Sequence, residues 1–368
     1  MALVVSHPTD PETAVLTCGD EFKLIGKTCN LKTIKASSPI LAACFSRSGR
    51  MFATCNSDKQ LQVYDTRKDW KCTNRCVPKR VTAISFSPDE KHIYTADKAG
   101  DVYRYNADGL DEGKLLLGHV SMLLDMALSI DGKFIVTCDR DEKIRVSCLP
   151  NAYNIKSFCL GHREFVGQVE IHPKFDHLLV SGSGDGRIGL WNFVVGACLD
   201  LVPLPCGKDD IAVFPTCINC CKETGLIAVA ASSDLVCLFA VADDGCHLKF
   251  VTMTHLAATP LHLAFTSDGM LWILVRSDVN PLLLVDVSSV LETKQVQFVS
   301  NQSYFGDIDL CLHNWKFDKE LDVPIDYHTL KKCAYDNTLD YRERKRQRLE
   351  GKHKEQHESE GMHKEDAK

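Results

Sequence analysis

A short apolar run closing on a tight polar turn recurs along this chain every 41–47 residues, and that period limits the fold more than any other feature. Phe45 in Cys44-Phe45-Ser46-Arg47-Ser48-Gly49, Phe86 in Ser85-Phe86-Ser87-Pro88-Asp89 and Leu128 in Ala127-Leu128-Ser129-Ile130-Asp131-Gly132 anchor the first three units. Ile171 in Glu170-Ile171-His172-Pro173 and Phe265 in Ala264-Phe265-Thr266-Ser267-Asp268-Gly269 continue the beat, and the long gap between them halves at Ile218. A second marker keeps step. Tyr64, Tyr105, Ser147, Trp191 and Phe239 each close an alternating, β-branched or aromatic run that reads as a strand. Six units at this spacing predict a repeat architecture.

Two Gly-His pairs, Gly118-His119 and Gly161-His162, open the third and fourth units. The period, the short strands and the Gly-His opening resemble the blade of a WD-repeat β-propeller. The fourth unit matches best, with Gly161-His162 followed by Ser181-Gly182-Ser183-Gly184-Asp185-Gly186-Arg187-Ile188-Gly189-Leu190-Trp191. In that family the histidine, a serine on the second strand, the turn aspartate and the tryptophan bond one another and lock the blade. The resemblance gives those places to His162, Ser181 or Ser183, Asp185 and Trp191. In the third unit it gives them to His119 and Asp141, with Ser147 where tryptophan is usual. Residues 12–26 and a stretch near 295–317, including Asp309-Leu310-Cys311-Leu312 and Asn314-Trp315-Lys316-Phe317, read as further strands. Pairing the two ends would build a seventh blade and close the ring, removing the sheet edges that invite aggregation. The expected fold is all-β: a seven-bladed WD-repeat β-propeller over residues 1–330, then a charged, partly helical or disordered C-terminal tail over 331–368.

Composition narrows the function. No apolar run nears the roughly 18 residues of a membrane helix, so no membrane association is expected. Met1-Ala2-Leu3-Val4-Val5-Ser6-His7-Pro8 lacks the basic start of a secretory signal. The 18 cysteines then read as small buried hydrophobes in a reducing compartment. A net charge of −6, from 43 Lys and Arg against 49 Asp and Glu, speaks against a strongly basic nucleic-acid binder. No phosphate-cradling glycine loop or Gly-x-Ser-x-Gly occurs. Cys217-Ile218-Asn219-Cys220-Cys221 has no second Cys or His pair at metal-site spacing, so buried strand cysteines are the better reading. His119, His162 and Asp185 read as blade-locking groups rather than general acids or bases. A propeller enzyme would need a polar, pKa-perturbed cluster at its central channel, and none is identifiable in the sequence. No catalytic role, metal or cofactor is therefore assigned to this chain.

One turn exceeds what a blade needs. Asp139, Arg140, Asp141, Glu142, Lys143 and Arg145 put six charges into seven positions, and the preceding unit has the parallel turn Asp97-Lys98-Ala99-Gly100-Asp101. Adjacent charged turns on one rim suit a partner-docking surface, since rim charges set register and specificity, although a solvated turn with internal ion pairs is the plainer alternative. At these residues the sequence resembles the non-catalytic WD-repeat subunit of the tRNA (guanine-N7) methyltransferase. The resemblance lies in Leu117-Gly118-His119-Val120-Ser121-Met122-Leu123-Leu124-Asp125, Cys138-Asp139-Arg140-Asp141-Glu142-Lys143-Ile144-Arg145-Val146-Ser147, Ser157-Phe158-Cys159-Leu160-Gly161-His162-Arg163-Glu164-Phe165-Val166 and Ala96-Asp97-Lys98-Ala99-Gly100-Asp101-Val102-Tyr103. Its specific part covers about residues 81–195.

The resemblance implies a scaffold without chemistry of its own. A separate Rossmann-type subunit would bind S-adenosylmethionine and methylate guanine N7 in the variable loop of certain tRNAs, and this chain would dock and stabilise it as a heterodimer. The docking residues implied are Lys98, Asp139, Arg140, Asp141, Glu142, Lys143 and Arg145, with Arg145 alternatively holding the acidic turn from within. Residues 331–368 carry 11 Lys and Arg against 9 Asp and Glu, which leaves 32 against 40, a net of −8, on residues 1–330. An acidic ring holds tRNA poorly alone, because phosphate neutralisation supplies most of the affinity. Arg342, Arg344, Lys345, Arg346 and Arg348 are candidates for tRNA contact within the complex or for nuclear import, and the expected localisation is nuclear, with the cytoplasm as a second compartment. Tyr64-Asp65-Thr66-Arg67 resembles the Trp-Asp-x-Arg box of ubiquitin-ligase substrate receptors, which makes a ligase adaptor an alternative partner.

Overall fold

The computed structural model describes residues 2–26, 32–109, 112–205, 213–277, 281–300, 327–331 and Arg346. Residues 1–331 form one compact unit and 332–368 a second. The first is a seven-bladed β-propeller of four-stranded antiparallel sheets. Blade 1 is β1 (Leu3–Ser6), β2 (Ala14–Cys18), β3 (Glu21–Ile25) and β4 (Lys32–Lys35). Blade 2 is β5 (Ile40–Phe45) to β8 (Lys71–Cys76), through β6 (Met51–Asn56) and β7 (Gln60–Asp65). Blade 3 is β9 (Val81–Phe86), β10 (His92–Asp97), β11 (Asp101–Asn106) and β12 (Lys114–Gly118). Blade 4 is β13 (Leu123–Leu128), β14 (Phe134–Asp139), β15 (Ile144–Cys148) and β16 (Ile155–Cys159). Blade 5 is β17 (Val166–Ile171), β18 (Leu178–Ser183), β19 (Arg187–Asn192) and β20 (Ala197–Pro203). Blade 6 is β21 (Pro215–Cys220), β22 (Leu226–Ala231), β23 (Leu235–Val241) and β24 (Leu248–His255). Blade 7 is β25 (Pro260–Phe265), β26 (Leu271–Val275), β27 (Leu282–Asp286) and β28 (Gln297–Val299).

The six repeats of the sequence are blades 2 to 7. Phe45, Phe86, Leu128, Ile171 and Phe265 each end the first strand of a blade. In blade 6 that place belongs to Cys220, which pairs with Ile227 as Phe265 pairs with Leu271, so the sequence anchor Ile218 was two residues early. The cause is the long connection between β20 and β21, which moves the strand relative to the average period.

The seventh blade differs from the expectation. Blade 1 takes all four strands from the N-terminus, and blade 7 takes its four from residues 260–299. No strand crosses from one end of the chain to the other among the described residues, and Asp309–Phe317 lies outside them. First strands line up around the channel, with β25 packing against β1 to close the circle. The Ser6 hydroxyl donates 2.6 Å to the Phe265 carbonyl across that seam. Ala2, Val4, Leu16 and Ile25 share a buried cluster there with Trp272, Leu274 and Leu284. Faces rather than hydrogen-bonded edges close the ring.

Strand composition follows position. Second strands are covered on both faces, most fully in Leu226–Ala231, where every residue is apolar and buried. Fourth strands are the most exposed, as in Lys71–Cys76, where only Arg75 is buried. The cores lie between neighbouring blades, so each sheet buries its faces only by stacking on the next.

Candidate protein-docking site

Blade 5 is locked by four side chains. His162 Nδ1 lies 3.0 Å from Asp185 Oδ2, and its Nε2 lies 2.7 Å from Ser181 Oγ. The Trp191 indole N–H donates to the same hydroxyl at 2.7 Å. Of the two serines left open by the sequence, Ser181 takes the histidine and the tryptophan, while Ser183 Oγ accepts from the Asp185 amide. Trp191 is fully buried. A Cβ on Gly189 would lie 2.5 Å from the Trp191 ring nitrogen, so the tryptophan requires glycine two residues earlier.

Blade 4 solves the same problem differently. His119 Nε2 lies 2.9 Å from Thr137 Oγ1, the register equivalent of Ser181. Its Nδ1 meets Asp139 Oδ2 at 3.0 Å, so the aspartate of this lock is Asp139 and not Asp141 as the repeat pattern suggested. The strand β14 ends on Asp139, which turns its side chain inward, whereas Asp141 sits out in the turn. Asp139 also accepts from the amides of Asp141 (2.9 Å) and Lys143 (3.0 Å). Burial opposes its ionisation, but the His119 and Lys143 bonds and charges hold its carboxyl below the ordinary range. At 1% exposure it is closed to a partner, which corrects its place among the docking residues.

Around that buried centre the turn presents an outer surface. Arg140 and Lys143 are exposed, while Asp141 and Glu142 are half-buried. Arg140 Nε stands 3.9 Å from Asp141. Lys98, on the next blade's turn, is exposed, and its amide bonds the Arg80 carbonyl at 3.0 Å. That neighbouring turn packs closely: a Cβ on Gly100 (φ +99°) would strike the His119 carbonyl oxygen at 2.5 Å. Exposed apolar side chains occur on the same two blades, and of these Phe158 pairs with Arg145 across the β15–β16 ladder and Leu160 follows it. Leu115, Val120, Tyr153, Ile155, Phe158 and Leu160 are all exposed along β12, β16 and their loops. Sequence reasoning missed this stripe, although apolar residues at outer-strand positions are its signal.

Arg145 does not hold the acidic turn. Its Nε donates to Ser147 Oγ at 2.9 Å, Nη1 to the Gly118 carbonyl at 3.1 Å, and Nη2 to the Ala152 carbonyl at 3.2 Å. Burial lowers its pKa. Of the other motif residues, Tyr64 is buried in an aromatic group with Phe22, Phe52 and Trp70, and Arg67 is exposed. Arg346 is helical and exposed. Arg342, Arg344, Lys345 and Arg348 lie outside the described residues. Cys217, Cys220 and Cys221 are buried, and no group of metal-ligating side chains occurs among the described residues.

The central channel holds a cluster that the sequence did not reveal. A cavity of about 710 Å³ is lined by Asp125, Gln168, Glu170, Asn219, Lys222 and His262, among others. Burial raises Asp125 to about 7 and Glu170 to about 8, and lowers His262 to about 4. Each acceptor is committed to the next blade. Asp125 Oδ2 accepts from the Val169 amide at 3.0 Å, Glu170 from Cys220 at 3.1 Å, and Asn219 from Phe265 at 2.7 Å. Gln168 accepts from the Ile218 amide. These bonds satisfy first-strand N–H groups that no further strand reaches. The perturbed carboxyls thus act as mortar between blades.

This is a WD-repeat propeller with a charged turn on blade 4 and, among the described residues, channel acceptors taken up by hydrogen bonds between blades. A family profile described as "tRNA methyltransferase TRM82 WD40 domain" matches residues 26–107 and 104–280. The chain is 37% identical over 326 residues to the Xenopus laevis tRNA (guanine-N(7)-)-methyltransferase non-catalytic subunit wdr4, covering 85% of this chain and 81% of that one. It is 33% identical over 319 residues to the Homo sapiens WDR4 subunit of the same description, covering 83% and 76%. The solved structure "Structure of U3-55K" superposes with a TM-score of 0.65 at 18% identity, over 74% of this chain and 87% of that one, which is a likeness of fold. The chain belongs to the family of non-catalytic WD-repeat subunits of the tRNA (guanine-N7) methyltransferase.

Proposed function

We propose that this chain docks and stabilises the S-adenosylmethionine-binding catalytic subunit of a heterodimeric tRNA (guanine-N7) methyltransferase, for N7-methylguanosine formation in the tRNA variable loop. The observation that carries the reading is the blade 4 rim. Arg140 and Lys143 stand exposed beside Lys98, with Phe158 and Leu160 exposed alongside. Charges of both signs bordering an apolar stripe suit a protein partner, the stripe supplying buried area and the charges register. Phosphate recognition would instead call for a single-sign surface, and residues 1–330 carry a net −8. The tRNA is therefore held chiefly by the catalytic subunit, which also carries the methyl donor.

Lys98, Arg140, Asp141, Glu142 and Lys143 are the proposed contacts, with Asp139 shaping their turn from beneath. The tail residues Arg342, Arg344, Lys345, Arg346 and Arg348 are proposed to touch the tRNA backbone in the complex or to serve nuclear import, with function in the nucleus and a pool in the cytoplasm. The boundary proposed between propeller and tail is residue 330. Replacing Arg140 and Lys143 together by Glu tests the reading. Co-purification with the catalytic subunit should be lost while the far-ultraviolet circular dichroism stays all-β. Undiminished binding would place the interface elsewhere on the ring.

A further inference from the structure

We infer that Tyr327 is a positioning residue: its ring fills an aromatic slot between blades 5 and 6 and fixes where the C-terminal tail leaves the propeller. This rests on the proposed contact of the tail with the tRNA backbone. The slot is built from two residues that stand directly ahead of channel-lining strands, Phe165 before β17 and Phe214 before β21. The Tyr327 ring stacks on Phe165, with centroids 6.0 Å apart and planes inclined by 19°. It meets Phe214 edge-on at 5.2 Å. Phe165 and Phe214 meet edge-on at 6.1 Å, which completes a triangle of rings. Stacked and edge-to-face arrangements at these separations are the favoured ones for aromatic pairs.

The ring itself holds the slot open. The Gly184 amide donates to the Phe165 carbonyl at 2.9 Å, and a Cβ on Gly184 would collide with the Phe165 ring. The Ser232 amide donates to the Phe214 carbonyl at 2.9 Å, and the Phe214 amide donates to Ser232 Oγ at 3.2 Å. Gly184 and Ser232 belong to the turns between second and third strands, and blade 4 carries Arg140 and Lys143 on the same turn. The slot therefore lies on the face of the proposed docking turn. Two neighbours fasten the segment further. Leu330 is buried, and its amide donates to the Tyr327 carbonyl at 3.2 Å. Lys331 Nζ stands 5.6 Å over the Phe214 ring, a cation–π contact. Lys331 is the last residue of the propeller unit, so the tail starts from this face. The position of that start carries a measurable effect. Arg342 lies 11 residues beyond Lys331 but 43 beyond Val299, where blade 7 ends. Effective concentration falls roughly as the −3/2 power of tether length, so releasing Tyr327 would dilute Arg342 near this face by up to about eightfold.

Steady-state methylation by the reconstituted pair of full-length chain and cognate methyltransferase tests this. Tyr327→Ala should raise the KM for tRNA severalfold, up to about eightfold, and leave kcat unchanged. Tyr327→Phe keeps the ring and should keep the parent KM. In a chain lacking 332–368, Tyr327→Ala should change KM no further. An unchanged KM in full-length Tyr327→Ala would overturn the inference. An equal rise in the shortened chain would overturn it too, and make Tyr327 a prop of the ring alone. A second readout needs no partner: amide exchange over 327–331 should quicken with Tyr327→Ala in the isolated chain and stay slow with Tyr327→Phe. Exchange unchanged by Tyr327→Ala would contradict the anchor. Deletion of 332–368 without any rise in KM would sink the tail's contact with tRNA, and the exchange result then decides whether Tyr327 holds the segment.

Discussion

His119 Nδ1 and Asp139 Oδ2 lie 3.0 Å apart, both almost fully buried, at the base of the most charged turn of the ring. The aspartate that looks like surface is the one residue of the turn that the fold consumes. His119→Ala or Asp139→Asn should cost about 1–3 kcal/mol in urea unfolding, the penalty for an unsatisfied buried polar partner. Asp139 and Asp185 both sit below the ordinary carboxyl range, through their histidine bonds and against the cost of burial. Their contribution is present above pH 4 and is lost as pH falls through the folded values. Unfolding midpoints measured from pH 6 to pH 3 should fall, and Asp139→Asn with Asp185→Asn should flatten that fall.

The channel carboxyls push stability the other way. Asp125 and Glu170 are raised to about 7 and about 8, so the folded chain keeps protons that the unfolded chain releases near pH 4. Their contribution is complete below pH 4 and is lost as pH rises towards 8. Asp125→Asn with Glu170→Gln keeps oxygen acceptors for the Val169 and Cys220 amides and removes the titration. The double variant should gain about 1–3 kcal/mol over the parent at pH 8.5 and little at pH 5. A parent whose stability is flat between pH 5 and 8.5 would refute this assignment.

Glu142 adopts φ +65°, at the turn position where blades 3 and 5 place Gly100 (φ +99°) and Gly186 (φ +79°). A left-handed conformation costs a residue with a side chain about 1–2 kcal/mol. Glu142→Gly should raise the unfolding free energy by up to about 1 kcal/mol and weaken association with the methyltransferase. A gain in stability with unchanged affinity would show that the carboxylate has no part in docking.

Much of the ring was legible because its markers are local. Phe45, Phe86, Leu128, Ile171 and Phe265 each end a first strand before a tight turn, so strand and turn signals coincide. The closure was not legible, because end-pairing and face-packing both satisfy the edges and only the run of four strands within residues 3–35 distinguishes them. Asp139 and Asp141 could each reach His119 in sequence, and the end of β14 decides between them. The channel cluster was hidden because Asp125, Glu170 and His262 come from three blades. Its signal is a polar third or fifth residue on successive first strands, as at Asp125, Gln168, Glu170 and Asn219.

The proposed dependence of the catalytic subunit on this ring is tested by reconstitution. Purified chain, cognate methyltransferase, tRNA and S-adenosylmethionine should be combined, and N7-methylguanosine measured with each protein alone and with both. Little product is expected from either protein alone and robust methylation from the pair, lost again with Arg140→Glu and Lys143→Glu together. Equal methylation by the methyltransferase without this chain would contradict it.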